Sequence, residues 1–287
     1  MKKLFIRIAL ALLSSLLLIS LGCFYLLGTE SGAQFIVTQT EKLLDNSLHI
    51  GSTKGKVLDR LELSDILFKN SAGIARVGHL VLDWKTRDLL RLHLHILELT
   101  VDDLSYSVLP QQSDPKPKKE GTLTLPELIL PIKITIEKLT LNNFLFSSAP
   151  DTEAITVNNA ELALLWDTNG INIQNLAVTM DEASLQAKGK LNPTGSYPVQ
   201  LTTVIKTLSP ALPSLTVDGT YSGDLQKIKV QEIISGDITA NLGMTAQNIL
   251  EDLTWQGDIE LTELRPAVFS PNAPGIVNES LSGKGNL

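Results

Sequence analysis

The uncharged run from Ile8 to Leu27 constrains this chain more than any other feature of its sequence. At a rise of 1.5 Å per residue, such a run forms a helix of about 30 Å, the thickness of a bilayer's hydrocarbon core. Lipid offers no partner for backbone amides, so a spanning segment must be helical. Lys2, Lys3 and Arg7 precede the run and no positive charge follows it closely. We therefore expect a transmembrane helix from Ile8 to Leu27 with a cytoplasmic N-terminus.

Two other kinds of N-terminal segment share some of these features. A cleaved signal peptide also begins with basic residues and an apolar core, but that core is usually shorter and ends in a small-x-small site. Here the apolar run continues through Phe24 to Leu27 without such a site. A lipoprotein signal would use Cys23, yet Ser20 stands where such signals have Leu, and Cys23 lies inside the run. The uncleaved anchor is the preferred interpretation, and the other two stay open.

Charge and cysteine content narrow the function classes. The net charge is −7 and the first seven residues carry three positive charges, so the remainder carries −10. An acidic remainder without clustered cations argues against nucleic acid as a partner. Cys23 is the only cysteine, which excludes an intramolecular disulfide and a cysteine metal cage. Few aromatic residues and abundant Leu, Ile, Val and Thr favour β-strands.

The period of the hydrophobic pattern changes after residue 47. Before it, Ser31-Gly-Ala-Gln34 matches a capping box, which predicts a helix from about Ser31 to Asn46. After it, apolar and polar residues alternate as in strands, interrupted by one helical turn from Thr86 to Arg91 with Thr86 as N-cap. The apolar residues then change face, which predicts a bulge near Ile96.

The segment from Pro110 to Gly121 is rich in proline and lysine and predicts a mobile loop. Strand patterns with turn residues at short intervals then continue to the last residue. We divide the chain into a cytoplasmic N-terminus and anchor, a juxtamembrane helix, an N-terminal β region, the flexible loop and a repetitive β-groove, at residues 1–28, 29–47, 48–109, 110–121 and 122–287 respectively.

The strands also resemble one another. Leu97-Glu-Leu-Thr-Val-Asp-Asp103 and Ile136-Glu-Lys-Leu-Thr-Leu-Asn-Asn143 share an outline of alternating apolar residues followed by a polar pair. Such repetition with almost no helix predicts an all-β fold, an elongated and curled antiparallel sheet with one N-terminal transmembrane helix. Each strand would have one apolar face. That face is covered either by a second sheet, as in a closed sandwich, or by an apolar ligand such as lipid acyl chains in an open trough.

Several short sequence motifs resemble the N-terminal part of the TamB family, within the wider AsmA-like group. They occur in the order and spacing of that family: Leu27-Gly28-Thr29-x-Ser31-Gly32, Ile50-Gly-x-x-x-Gly55, Leu61-x-Leu63-Ser-Asp65, Trp84-x-x-x-Asp88-Leu-Leu90, Lys188-Gly-Lys-Leu-Asn192 with Tyr197-Pro198, and Ser235-Gly-Asp237. Because family members are several times longer and end in a domain that this chain lacks, we expect the chain to be an N-terminal fragment.

The resemblance implies a place and a function. It implies a single-pass protein of the Gram-negative inner membrane, with most of the chain in the periplasm as a groove-like β-structure. It also implies a role in the translocation and assembly module with an outer-membrane barrel partner resembling TamA. Outer-membrane proteins, including autotransporters, would be its clients, and membrane phospholipid would move along the groove.

Ten apolar residues are the candidates for lining such a groove: Leu94, Ile96, Ile132, Ile134, Ile136, Val199, Leu201, Ile238, Ala240 and Leu242. The alternative function is a scaffold that does not transport lipid and whose sheet edges bind client strands by β-augmentation. The sequence offers no set of nucleophile, base and oxyanion donor, so we expect neither an enzyme nor a cofactor. His93 and His95 share a strand face, but no third ligand follows at a suggestive spacing, and we expect no metal site.

Overall fold

The computed structural model describes residues 2–45, 47–109, 125–148, 154–250, 252–264 and 277–286. The expected loop at 110–121 lies outside these residues. Two helices begin the chain, α1 (Lys2–Gly28) and α2 (Glu30–Leu43). Among the described residues, no single helix is both long and apolar enough to cross a membrane. Leu13–Gly28 and Glu30–Leu43 meet those criteria only together, and they are bent by 87° relative to each other.

The helix α2 begins earlier than its sequence indicates. Its N-cap is Thr29, whose Oγ1 accepts a hydrogen bond from the Gly32 backbone N–H at 3.1 Å. The expected capping box of Ser31 and Gln34 is therefore wrong, because Gln34 Nε2 instead donates to Thr53 O, at 3.3 Å, and to Glu30. Gly32 fits the junction because it lacks a side chain, since a Cβ there would lie 2.3 Å from Leu26 O.

All the regular structure beyond α2, apart from one 3-10 helix, consists of strands in the part of the chain that the structure describes. The first eight strands are β1 (Leu48–Gly55), β2 (Arg60–Lys69), β3 (Gly73–Trp84), β4 (His93–Asp102), β5 (Ser105–Val108), β6 (Lys133–Ser147), β7 (Ile155–Asp167) and β8 (Gly170–Thr179). The others are β9 (Ala183–Leu191), β10 (Val199–Thr207), β11 (Leu215–Gly223), β12 (Lys227–Gly236), β13 (Ile238–Gln247), β14 (Thr254–Leu264) and β15 (Val277–Asn286).

These strands form one sheet in chain order, with β5 beside β3 and β6. Neighbouring strands are antiparallel except at β6, which pairs in parallel with β4 and β5. The expectation of a wholly antiparallel sheet is therefore wrong at this position. Parallel neighbours need a crossover of about a dozen residues or more, and residues 109–132, which include the proline-rich segment, connect β5 to β6.

The sequence predicts two local features, a bulge near Ile96 and a helical turn capped by Thr86. The expected bulge near Ile96 is confirmed, because Asp83 pairs with Glu98 whereas Trp84 pairs with Ile96, which leaves Leu97 unpaired. The helical turn at Thr86–Arg91 is also present, as a 3-10 helix. Thr86 is not its N-cap, however, because the Thr86 hydroxyl donates to Leu58 O at 2.9 Å.

The sheet has little of the dense core that a sandwich would have. Seven apolar residues are buried among those described, and most of them are small: Ala33, Val81, Val157, Ala187, Val230, Ala240 and Ala246. No large side chain among the described residues is fully buried. Facing sheets normally bury large side chains between them, so the apolar side chains of this sheet are not sealed beneath a second layer.

Candidate functional site

The strand register places the apolar side chains of successive strands on one face. Residues paired directly across a sheet point to the same side, so a face can be followed from strand to strand. One row crosses eight strands as Leu82, Leu99, Leu139, Leu162, Leu176, Ala187, Thr203 and Gly219. The next row on the same face is Trp84, Ile96, Ile136, Leu164, Ile173, Gly189, Leu201, Tyr221, Val230 and Met244.

Two further rows extend this surface on either side. They are Leu94, Ile134, Trp166, Ile171, Leu191 and Val199, and Leu80, Val101, Leu141, Ala160, Val178, Leu185, Ile205, Val217, Ile234 and Ala240. We call these four rows together the apolar face. It is continuous because the bulges in β4, β6 and β8 fall at the same level of the sheet, so the rows on either side of them stay on one face.

The structure places nine of the ten candidate groove residues on this face. Seven belong to the rows named above: Leu94, Ile96, Ile134, Ile136, Val199, Leu201 and Ala240. Leu242 pairs with Ile259 in the same surface, and Ile238 pairs with Leu264. The tenth, Ile132, precedes the first residue of β6 and has no register partner in the sheet. Only Ala240 among the ten is buried, and the other nine are half-buried.

One polar cluster interrupts the apolar face at β10–β12. The Tyr221 hydroxyl donates a hydrogen bond to Glu232 Oε1 at 2.8 Å, and the buried Thr203 lies beside Gly219 in the same rows. Burial raises the pKa of the Tyr221 hydroxyl above its ordinary value, and the hydrogen bond to Glu232 raises it further. The alternation of apolar and polar residues along the strands predicts an apolar face. It gives no sign that Tyr221 and Glu232 on that face would form a hydrogen bond with each other.

The opposite face of the sheet is polar, and a ladder of side chains crosses it. His79, Asp102, Asn142 and Asn159 pair successively from β3 to β7. Asn142 Nδ2 donates to Asp102 Oδ1 at 2.7 Å, and Asn159 Nδ2 donates to Asn142 Oδ1 at 2.9 Å. The His79 ring lies 3.5 Å from Asp102 Oδ2. These bonds connect strands on both sides of the parallel pairing.

The first strand of the sheet is held by the helices. Glu41 Oε1 of α2 accepts a hydrogen bond from the Ile50 N–H at 2.6 Å, and Gln34 reaches Thr53 O. The carbonyl of Leu27, at the end of α1, accepts from Leu58 N at 3.0 Å in the turn between β1 and β2. The helices are therefore joined to the sheet at its β1 end.

A second polar site lies where the 3-10 helix meets β4. Asp88, His93 and His95, which we call the histidine cluster, each place one ligand atom within 4.8 Å of the other two. His95 Nδ1 is 2.9 Å and His93 Nδ1 is 3.9 Å from Asp88 Oδ2. The two imidazole rings are stacked, with centroids 5.0 Å apart.

The electrostatics of the histidine cluster follow from these contacts. The hydrogen bond between Asp88 and His95 holds the pKa of Asp88 below its usual value, and the contact between Glu137 and His95 lowers the pKa of Glu137. Desolvation lowers the pKa of His93 and so favours its neutral form. The sequence reasoning missed Asp88 as the third group, although it stands five residues before His93, because the 3-10 helix folds it back toward β4.

Comparison with protein families agrees with the sequence resemblance. The family model described as "TamB, N-terminal domain" matches residues 17–144 and 110–287. Together the two matched segments cover most of the chain, including the fifteen strands of its described residues. Neither a curated protein nor a solved structure matches the chain.

Proposed function

The chain belongs to the TamB family, and from this premise we propose that it carries phospholipid acyl chains along its apolar face. In this proposal it is an inner-membrane-anchored periplasmic subunit of a translocation and assembly module and supports outer-membrane biogenesis. The observation that carries the proposal is the apolar face itself, whose four rows continue from strand to strand and whose large side chains are not fully buried.

The physical reason is the cost of an apolar surface in water. Contiguous apolar patches of more than a few hundred Å² are rare on soluble proteins and mark sites for apolar ligands or partners. Half-buried Leu, Ile and Val side chains in parallel rows present such a patch, and acyl chains can cover it without needing hydrogen bonds. The polar rows on the other face keep that side hydrated, so lipid would be confined to one side of the sheet.

The N-terminal helix supports a membrane location for the β1 end. Apolar side chains of α1 such as Leu18, Leu21 and Phe24 are 58–69% exposed, so the rest of the described residues leaves them largely uncovered. Exposed Leu and Phe at this density suit lipid surroundings. We propose that α1 is a single-pass anchor with a cytoplasmic N-terminus and that the sheet extends into the periplasm.

Partners follow from the same proposal. Lipid would enter from the outer leaflet of the inner membrane, where α1 meets the sheet. An outer-membrane barrel partner resembling TamA and outer-membrane protein clients would be its protein partners. Lipid transport in this proposal aids the secretion and insertion of those clients, and nucleic acid has no part in it.

Site-specific photo-crosslinking in cells tests the lipid proposal directly. Leu201 lies on the apolar face, and its neighbour Gln200 points to the polar face and is more exposed. A crosslinking residue at Leu201 should capture phospholipid, and one at Gln200 should not. Equal capture at both positions, or no phospholipid at Leu201, would contradict the proposal. Because Gln200 is the more accessible of the two, simple exposure predicts the reverse result.

The same experiment separates lipid transport from the β-augmentation scaffold. An added client strand would pair with an edge strand of the sheet. At the β1 edge, side chains of α2 already form hydrogen bonds with the backbone of Ile50 and Thr53, so a client strand would have to displace them. A crosslinking residue at Ser52, in β1, that captures unfolded outer-membrane proteins while Leu201 captures no lipid would favour the scaffold.

A further inference from the structure

We propose that the histidine cluster binds one divalent transition-metal ion, of the kind represented by Zn²⁺, through Asp88, His93 and His95. This site lies on the polar face of the sheet, away from the surface assigned to lipid, and does not depend on the proposed function. Two imidazoles and one carboxylate form a common three-residue ligand set for such ions. A water molecule would complete the coordination.

The two distances from Asp88 to the histidines fit a metal site after small movements. In a tetrahedral zinc site with bonds of 2.0–2.1 Å, neighbouring ligand atoms lie about 3.3 Å apart. Here Asp88 Oδ2 lies 2.9 Å from His95 Nδ1 and 3.9 Å from His93 Nδ1. Shifts of about half an ångström, within the reach of side-chain rotation, would make these distances equal. All three side chains are no more than 28% exposed, so they are held in place by their surroundings.

The second nitrogen of each imidazole already has a partner of the kind seen behind metal ligands. His93 Nε2 is 2.8 Å from Thr135 Oγ1, and His95 Nε2 is 2.7 Å from Glu137 Oε1. A carboxylate or hydroxyl on the far nitrogen fixes the ring orientation and makes the near nitrogen a better ligand. Both partners come from β6, so the parallel pairing of β4 with β6 aligns the site.

The charges around the cluster also permit a cation. Asp88 and Glu137 supply two carboxylates, and the Lys85 ammonium lies 3.6 Å from Glu137 Oε1. Lys133 on β6 pairs with His93 in the register, so it lies on the same face of the sheet as the cluster. Two lysines close to the site should make binding weaker than at a zinc site with four protein ligands.

A bound ion would connect the 3-10 helix to the sheet. Asp88 belongs to the 3-10 helix, whereas His93 and His95 belong to β4. Leu92, which links the 3-10 helix to β4, has a left-handed backbone with φ of 54°. The metal would close this short loop and stabilise its conformation. Metal binding should therefore raise the thermal stability of the folded chain.

Titration of the full chain in detergent, without a polyhistidine tag, tests the site. Co²⁺ should bind with 1:1 stoichiometry and give a visible absorption spectrum that Zn²⁺ abolishes by competition. Asp88→Asn and His93→Gln should each weaken Co²⁺ binding at least tenfold, and Glu137→Gln should weaken it about 10- to 100-fold through the orientation of His95. The matched controls His49→Gln and His79→Gln, which alter histidines beside other carboxylates, should leave binding unchanged.

Thermal unfolding distinguishes loss of the metal site from loss of the fold. Zn²⁺ should raise the melting temperature of the wild type and of His79→Gln, and should not raise that of His93→Gln. The proposal is overturned if the wild type binds no Co²⁺, or if Asp88→Asn and His93→Gln bind it as tightly as the wild type. It is also overturned if His79→Gln loses the same affinity as His93→Gln.

Discussion

Ile136→Asp introduces a charge at the centre of the apolar face and provides the sharpest test of lipid binding. Ile136 is flanked by Ile96 on β4 and Leu164 on β7, so an acyl chain crossing these strands would contact three branched side chains in succession. Strands lie about 4.8 Å apart, so an extended acyl chain passes about four methylenes per strand. A hydrated carboxylate at position 136 should keep about two of the four methylenes that cross this strand from contacting the protein.

The expected loss of affinity follows from that contact. Two methylenes that remain in water instead of being buried lose about 0.8 kcal/mol each, or about 1.6 kcal/mol in total. This corresponds to about a 15-fold weaker affinity for phospholipid. The measurement is the displacement of a fluorescent fatty acid from the full chain in detergent by added phospholipid, together with the lipid phosphate that co-purifies per mole of protein.

Asn172→Asp is the matched control for Ile136→Asp. Asn172 lies on the polar face two strands away and pairs with Lys190, so an added carboxylate there has a compatible neighbour. Its phospholipid affinity should equal that of the wild type. The reasoning is refuted if folded Ile136→Asp binds phospholipid like the wild type, or if Asn172→Asp loses as much affinity. Circular dichroism of both variants establishes that the sheet is intact.

Two further predictions concern stability and ionisation. Gly236→Ala should destabilise the chain by about 2 kcal/mol or more in urea unfolding, because Gly236 has a φ of 121° and a Cβ would lie 2.0 Å from Ser214 O. Gly243→Ala, where the nearest atom would be 3.4 Å away, should be nearly neutral, and equal losses would contradict this account. In an absorbance titration, Tyr221 should ionise above pH 10, and Glu232→Gln should lower its pKa without removing the shift, because burial is the larger cause. A folded-state pKa above the unfolded value means that this contribution to stability is complete below pH 10 and is lost as pH rises through the folded pKa. An unchanged Tyr221 titration in Glu232→Gln would count against the hydrogen bond.

The parallel pairing of β4 with β6 shows where sequence reasoning stopped short. The similarity of the segments beginning at Leu97 and Ile136 was visible and indicated a repeat. In the structure the repeats lie side by side in register, with Leu99 beside Leu139 and Thr100 beside Thr140. Alternation fixes which residues share a face of one strand, but it carries no information about strand direction. The long proline-rich connection was the available sign of a parallel crossover.

The apolar face was more accessible to prediction than the histidine cluster. Alternating apolar residues fix the face of each strand, and at a bulge two residues of one strand oppose one residue of its partner, so the apolar side chains stay on the same face. The bulge near Ile96 could be predicted because the apolar residues change parity there. The cluster depends instead on the path of the 3-10 helix, which brings Asp88 back to the strand that follows it. No periodicity in the sequence encodes that path.

The contacts at the β1 end favour a fixed coupling between the helices and the sheet over a flexible tether. Leu27 O, at the end of α1, bonds the turn between β1 and β2 through Leu58 N, and Leu58 O accepts from Thr86 at the start of the 3-10 helix. The Trp84 indole donates to Val57 O in the same turn at 2.7 Å. Each of these bonds joins residues that a freely hinged anchor would leave apart. Under the proposed function, acyl chains leaving the membrane beside α1 would therefore meet a sheet whose apolar rows begin at a fixed position.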